Sequence, residues 1–551
     1  MQKKQTILVV ASLLVVVLSV TLAYFTAQII GKGKNVTINS ADLKIIFTDS
    51  DGSISGSNIE PGKWNVTKTF TIENKSNETY KYNIVIQDLV NTFVTEGYLQ
   101  YKITSTNEGY NMTEFKDVPK SETAKDTILA YSVSIPVGVT QSYTVEFIYK
   151  NDESVDQSDD MGRKLSGKLF ITEGTEEPVT LLSQILNDNP TIKTRTDFSS
   201  VFTETNTGTL YKATESIAGN TPKDVYYFAG DAKNNWVKFG KYQNDLIRYR
   251  GNKSTTDTSY KEYSTMDECT SASSYNINCT EYKYANTGDD IYWRIIRTNH
   301  DESIRLLYSG TSPDTTKGTI GRSKFNTTKN DPMYFGYMYG TSGSLANNRT
   351  NTNNSIIKGV IDTWYKDNLN INYGKYISTE AVYCNDRELE PGQKYSTSSA
   401  FNYAPYGRLD TNKTPTYNCT NNKDAFSGNN SEAKLTYPIA LMTADEIAYA
   451  GGKKATGLSS PYAWYYLNSA GGSITGKAYW WLMSPFQYDG YFSLDSVVMD
   501  STVDSGLLSG HSLLYANGVR PAISLKTCTL WTSGDGSPSN PYEIDYDNSN
   551  C

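Results

Sequence analysis

The chain has 551 residues, enough for roughly two to four domains, and its formal net charge of −8 leaves no basic footprint for nucleic acid. Charged residues make up 20%, 43 residues are Tyr and only two are His. That polar, aromatic, histidine-poor composition suits β-rich extracellular proteins and argues against histidine-ligated zinc catalysis.

The N-terminus is the first patterned segment. Gln2-Lys3-Lys4 precedes an apolar run from Ile7 to Phe25 that only Ser12, Ser19 and Thr21 interrupt. A basic start, an apolar stretch and small residues before a polar segment predict an export signal over residues 1–27. Thr21-Leu22-Ala23 offers small residues for cleavage in the Ala23–Tyr24 region. The same run, at residues 6–27, is also long enough to remain as an N-terminal membrane anchor. In both cases the rest of the chain is expected outside the cell, secreted or surface-attached.

Residues 30–173 read as strands. Alternation of apolar and polar residues marks Val66–Ile72, Tyr80–Ile86, Tyr98–Ile103, Tyr131–Ile135, Tyr143–Tyr149 and Leu165–Ile171, with a further strand ending at Phe47. Period-2 patterning means one buried and one wetted face, and seven such strands predict a β-sandwich. The acidic cluster Asp152, Glu153, Asp156, Asp159 and Asp160 has oxygen ligands of the kind calcium takes, but a solvated hairpin loop accounts for it more simply. The turn-rich stretch 174–180 reads as a linker.

From residue 181 the pattern is mixed. A short helix over Leu181–Leu186 is followed by strands at 208–211, 225–230 and 235–239. A hairpin runs from Ile291–Arg297 through Thr298–Asp301 to Ser303–Tyr308. Residues 243–290 look like an insertion between strands. Apolar residues at 356, 357, 360, 361, 364 and 365 predict a helix with Trp364 and Tyr365 in the core. Thr443 and Glu446 form a capping-box pattern ahead of Gly451. Strands are expected again around Trp480–Trp481, Val497–Val498 and Val519–Leu525.

The six cysteines, Cys269, Cys279, Cys384, Cys419, Cys528 and Cys551, include no C-x-x-C pair. In an exported chain an even count favours disulfides. Six cysteines allow 15 connectivities; the sequential pairing 269–279, 384–419 and 528–551 closes the shortest loops and is the one expected. All six follow residue 260, so the N-terminal third must hold together by packing alone.

Two resemblances follow from these motifs. The Ala23-Tyr24-Phe25 end of the signal, Ile59-Glu60-Pro61-Gly62-Lys63 and Thr69-Phe70-Thr71-Ile72-Glu73-Asn74 resemble the TasA/camelysin family of exported Gram-positive proteins over roughly residues 15–172. That resemblance implies a sandwich able to join a neighbour by strand addition. The family's metallopeptidase label finds no His before residue 300 to support it. Tyr292-Trp293-Arg294-Ile295-Ile296, Trp480-Trp481-Leu482-Met483-Ser484-Pro485 and Gly518-Val519-Arg520-Pro521-Ala522 resemble a surface-protein domain of low-GC Gram-positive bacteria. These motifs look like the C-type-lectin-like fold shared with formylglycine-generating enzymes. The cysteine contexts Tyr383-Cys384-Asn385 and Asn418-Cys419-Thr420 depart from that enzyme's copper-binding pair, and Glu390-Pro391-Gly392 only partly echoes a calcium-lectin motif.

The expected fold class is therefore mainly β with α+β: an N-terminal β-sandwich followed by a C-type-lectin-like α+β domain over 181–551. The expected function is non-enzymatic binding or adhesion to a glycan, peptide or host surface, with no cofactor and no metal. The alternatives are a fibre or matrix subunit and, more remotely, a peptidase or other hydrolase. Trp480 and Trp481, adjacent on a strand, should face opposite ways, one in the core and the other available to a surface groove. Arg520 is a candidate ligand contact or a buried structural charge. His511 with Ser512 and Asp504 is the only arrangement suggesting a hydrolase triad, and no nucleophile-elbow pattern surrounds it.

Overall fold

The computed structural model describes residues 36–38, 41–47, 52–56, 59–202, 204–205, 207–257, 259–454, 463–498, 506–547 and 551. The export segment, with its Ala23–Tyr24 cleavage region and the anchor at 6–27, lies outside the described residues, as does Asp504. The described chain is mainly β and divides after Glu177 into two compact units. Among the described residues no helix is long and apolar enough to cross a membrane.

The first unit contains β1 (Val36–Ile38), β2 (Ala41–Phe47), β3 (Ser53–Gly56), β4 (Asn65–Asn74), β5 (Tyr80–Asn91), β6 (Leu99–Ser105), β7 (Lys116–Asp117), β8 (Ser121–Ile135), β9 (Thr140–Tyr149) and β10 (Leu165–Glu173). They form two antiparallel sheets, ordered β1-β2-β4-β9-β6-β7 and β3-β10-β5-β8. β9 is the clearest product of alternation: Gln141, Tyr143, Val145, Phe147 and Tyr149 are buried while Thr140, Ser142 and Glu146 are exposed. Its uninterrupted register with β4, from Ile148↔Asn65 to Thr140↔Glu73, holds Phe70 and Ile72 against the same core. From the other sheet, Ile84, Ile86, Leu169 and Ile171 complete a sandwich-like core. Burying each such side chain contributes about 1.5–3 kcal/mol. The alternation fails at Ile84-Val85-Ile86, all buried, where the pairing of β5 with β8 shifts register.

Polar groups inside this core are paired. Tyr82 donates to Gln141 Oε1 at 2.7 Å and meets the Tyr143 hydroxyl, tying one sheet to the other. The Asn74 amide donates to the carbonyls of Glu78 and Ile135. Two features of the unit escape sequence patterning. β8 begins ten residues before its predicted start, because Glu122–Asp126 is exposed on an edge and carries no apolar period. β3 and β7 are too short to show one.

The second unit is built on a ten-stranded sheet. Its main path runs Thr191–Lys193, Thr209–Glu215, Lys223–Tyr227, Asp290–Thr298, Trp236–Lys241, Tyr542–Asp545 and Leu530–Ser533. Ile304–Tyr308 branches from Asp290–Thr298 as the return of the predicted hairpin and pairs with Pro521–Leu525, which also pairs with Ala440–Leu441. A six-stranded sheet centres on Trp480–Tyr488 and Ser493–Val498. Residues 246–285 form a separate three-stranded sheet, ordered Tyr260–Tyr263, Leu246–Asn252 and Ile277–Ala285, closed by the Cys269–Cys279 disulfide. The other two bridges are Cys384–Cys419 and Cys528–Cys551.

The large apolar core of this unit gathers Trp293, Trp364, Trp464, Trp480 and Trp481. Three buried indole N–H groups donate to carbonyls, Trp293 to Phe239, Trp464 to Phe228 and Trp481 to Ser323, at 2.8–2.9 Å.

Candidate functional site

The sequence motif residues of the second unit are structural. Trp480 is 1% exposed and Trp481 fully buried, so neither reaches a surface groove. The expectation of one outward Trp fails because Trp480–Tyr488 is a central strand covered on both faces: Trp480 packs under the Arg520 guanidinium at 4.7 Å, and Trp481 against Phe325 at 5.5 Å. Arg520 is itself fully buried, donating to the carbonyls of Tyr308 and Tyr465 and to Ser309 Oγ. It closes the core and meets no ligand space.

His511 does not assemble a triad with Ser512. The two are neighbours on the strand Leu508–Ser512, so their side chains leave opposite faces. The His511 ring stacks on Tyr515 at 4.1 Å and its Nδ1 meets the Asn517 amide at 2.9 Å. Burial pushes the imidazole below its ordinary pKa, against the opposing Asn517 contact.

The acidic loop of the first unit is also accounted for. Asp160 is buried and accepts from the Val94 and Thr95 amides and the Tyr149 hydroxyl; burial raises its pKa, but these bonds outweigh it and leave a net lowering. Asp152 accepts from Ser154 and Tyr98. Among the described residues no group of three or more His, Cys, Asp or Glu is placed to hold a metal ion.

Sequence reasoning missed a buried ionic network. Glu446, the N3 residue of the capping box on helix Ala444–Ala450, accepts from the Thr443 amide with one oxygen. Its other oxygen takes Arg297 at 2.9 Å and Arg305 at 2.8 Å. Arg297 also pairs with Glu215 at 2.8 Å. Arg408 bridges Asp386 and Asp445 nearby. Glu215, Arg297, Arg305, Asp386, Arg408 and Asp445, with the Cys384–Cys419 bridge, line a cavity of about 20 Å³, room for roughly one water. Burial pushes Glu215 up, but Arg297, His300 and Arg305 prevail and hold it at about 2.

Among the described residues, one space of ligand size is an open groove of about 650 Å³ between helix Ile356–Asn368 and the start of strand Leu246–Asn252; another, of about 440 Å³, is lined by Leu182, Leu186, Tyr226 and His300. Pockets of this size hold small molecules or short segments of larger ones. The helix starts at Ser355, whose side chain accepts from the Lys358 amide, and buries Ile357, Ile361, Trp364 and Tyr365 in the core. Its remaining stripe, Ile356, Gly359, Val360, Thr363 and Asp367, faces the groove. Gly359 is exposed, and a Cβ built there meets nothing within 4 Å. The facing wall supplies Asn244, Asp245, Arg248 and Ser264. A hydrogen bond from Lys283, with the Thr287 amide and hydroxyl, holds Asp245 at about 2. The groove therefore combines an apolar strip with amide, hydroxyl, carboxylate and guanidinium groups.

No family model matches the chain, and no curated protein matches it. The solved structures similar to part of it include two from fimbrial assembly. One is a chain from a chaperone–tip adhesin complex of CFA/I fimbriae, 10% identical over 46% of this chain and 90% of that chain, with a TM-score of 0.08. The other is a class 5 fimbriae chaperone, 11% identical over 46% of this chain and 91% of that chain, again with a TM-score of 0.08. Similarity at this level assigns neither fold nor function.

Proposed function

We propose that the chain is an exported surface protein whose second unit binds an extracellular ligand in the groove between helix Ile356–Asn368 and strand Leu246–Asn252, without chemical conversion. The observation that carries this reading is the groove itself: about 650 Å³ of open space lined by hydrogen-bonding and apolar groups. The buried ionic network, by contrast, surrounds room for a single water. Three disulfides support a location in an oxidising compartment. The TasA-like reading of the first unit and the C-type-lectin-like reading of the second belong to the same proposal. Arrays of glycans and extracellular proteins probed with the purified full-length protein test it: a saturable ligand supports the reading, and a blank array on both panels removes it.

A second reading, a fibre subunit assembled through the first unit, rests on β8. This strand is 15 residues long and, among the described residues, pairs along one side only, with β5. Such an edge is a template for strand addition. Charged Glu122, Lys125 and Asp126 on its first half oppose indiscriminate pairing. Light scattering at rising concentration separates the two readings, since a subunit polymerises and a monomeric binder does not.

A further inference from the structure

One face of the three-stranded sheet carries a ladder of alternating cations and tyrosines. The Lys317 ammonium lies 4.8 Å over the Tyr282 ring. The Arg250 guanidinium sits between Tyr282, at 3.2 Å, and Tyr260, at 4.2 Å. Arg322 also lies over Tyr260, at 4.6 Å. The single carboxylate in this stack is Glu262, whose side chain is 1% exposed. It is already saturated: Arg250 Nε and Nη2 and the Tyr284 hydroxyl donate to Oε1, and the Arg322 amide donates to Oε2.

Arg248 stands two residues along the same strand, so it shares the face of Arg250. Its Nη1 donates to the Ile247 carbonyl at 2.9 Å and its Nη2 reaches the Ile320 carbonyl at 3.5 Å. Gly321, at φ +121°, is what lets it lie so close: a Cβ there would stand 3.0 Å from Arg248 Nε. On this face of the sheet four cations therefore share one carboxylate; in the groove Arg248 is joined by Asp245, which pairs with Lys283, and by Asp367. Among the described residues, Arg248, Lys317 and Arg322 have no ion-pair partner, on a chain whose net charge is −8. Uncompensated, half-exposed guanidinium groups select anions, and the planar fork of Arg matches carboxylate or sulfate with paired hydrogen bonds. Arg248 also lines the groove, where Asn244, Ser264, Thr363 and Asp367 present the mixed donors and acceptors that sugar hydroxyls require.

We infer that the ligand is an acidic polysaccharide: sugar rings lie in the groove along Gly359 and Val360, the acidic group of one residue meets Arg248, and those of neighbouring residues meet Arg322 and Lys317. This deepens the proposed function and rests on it. The tyrosine faces of the ladder are taken by cations, so recognition is ionic, and binding should weaken steeply with salt.

The test is an array of uronic-acid, sulfated and neutral oligosaccharides, followed by binding isotherms of the full-length protein at two salt concentrations. The inference expects acidic oligosaccharides to bind at least tenfold more tightly than neutral ones. Arg248→Ala should lose at least tenfold, Arg248→Lys should keep part of the affinity, and Lys317→Ala with Arg322→Ala should lose a few-fold and flatten the salt dependence. Unchanged thermal melting establishes that each variant is folded. The uronic-acid and sulfated arms tell which acidic group is read. Equal affinity for acidic and neutral sugars, or undiminished binding by Arg248→Ala, overturns the inference. Neutral-only binding that Gly359→Trp abolishes keeps the groove as a binding site while removing the acidic ligand. No binding to any sugar removes the ligand class, and if the protein panel is blank as well the binding reading falls with it.

Discussion

At the residue scale, the most consequential side chain of the second unit is Glu446. One carboxylate caps its helix and pairs with two buried guanidinium groups. Glu446→Ala leaves Arg297 and Arg305 short of a counter-charge in the interior, which costs about 3–5 kcal/mol; urea unfolding of the variant should show it as a lower midpoint. The pH response has a definite direction. Burial raises Glu446 and Glu215, but the neighbouring arginines more than offset it, leaving Glu446 lowered and Glu215 at about 2. A carboxyl whose folded value lies below its ordinary 4.5 stabilises the fold fully above that pH and loses the contribution as the pH falls toward the folded value. Melting temperature should therefore fall between about pH 4.5 and pH 2, and Glu215→Gln should make the fall shallower. The capping box was legible in Thr443 and Glu446. The second role of Glu446 was not, because Arg297 and Arg305 lie 149 and 141 residues away in the chain. The available signal was a charge embedded in an apolar strand, Trp293-Arg294-Ile295-Ile296-Arg297, where a buried partner is required.

At the element scale, helix Ile356–Asn368 shows how far periodicity reaches. Its apolar spacing placed Ile357, Ile361, Trp364 and Tyr365 in the core. It did not reveal that Ile356 and Val360 line an opening, because a half-covered stripe carries the same residues as a covered one. Gly359 was the overlooked mark: a mid-helix glycine on an exposed face costs about 0.5–1 kcal/mol relative to Ala. Gly359→Ala should raise stability by about that amount in chemical denaturation, since its Cβ enters open space. The Trp480–Trp481 pair makes the converse point. Alternation correctly sets adjacent side chains on opposite faces, yet it is silent on whether the second face is wet, and here a second layer covers it. In the first unit the strands with a regular period, β9 above all, were readable. β8 was not fully so, since an edge strand facing water needs no apolar period.

At the scale of the whole molecule, the two units differ in what holds them together. The first has its own apolar core and no cysteine. The second has three disulfides closing separations of 10, 35 and 23 residues. In the chain-entropy account these contribute about 3–4 kcal/mol each. Calorimetry should resolve separate transitions, and reductant should lower only that of the second unit; a joint shift of both would show that the units do not unfold independently. If the second unit binds its ligand in the groove beside Gly359, filling that groove must abolish binding. Gly359→Trp tests it most directly, because the side chain enters space that no protein atom occupies within 4 Å of the Cβ position. Ligand affinity of the full-length protein should drop at least tenfold while its melting temperature does not fall. Full affinity in a folded Gly359→Trp variant would contradict the account.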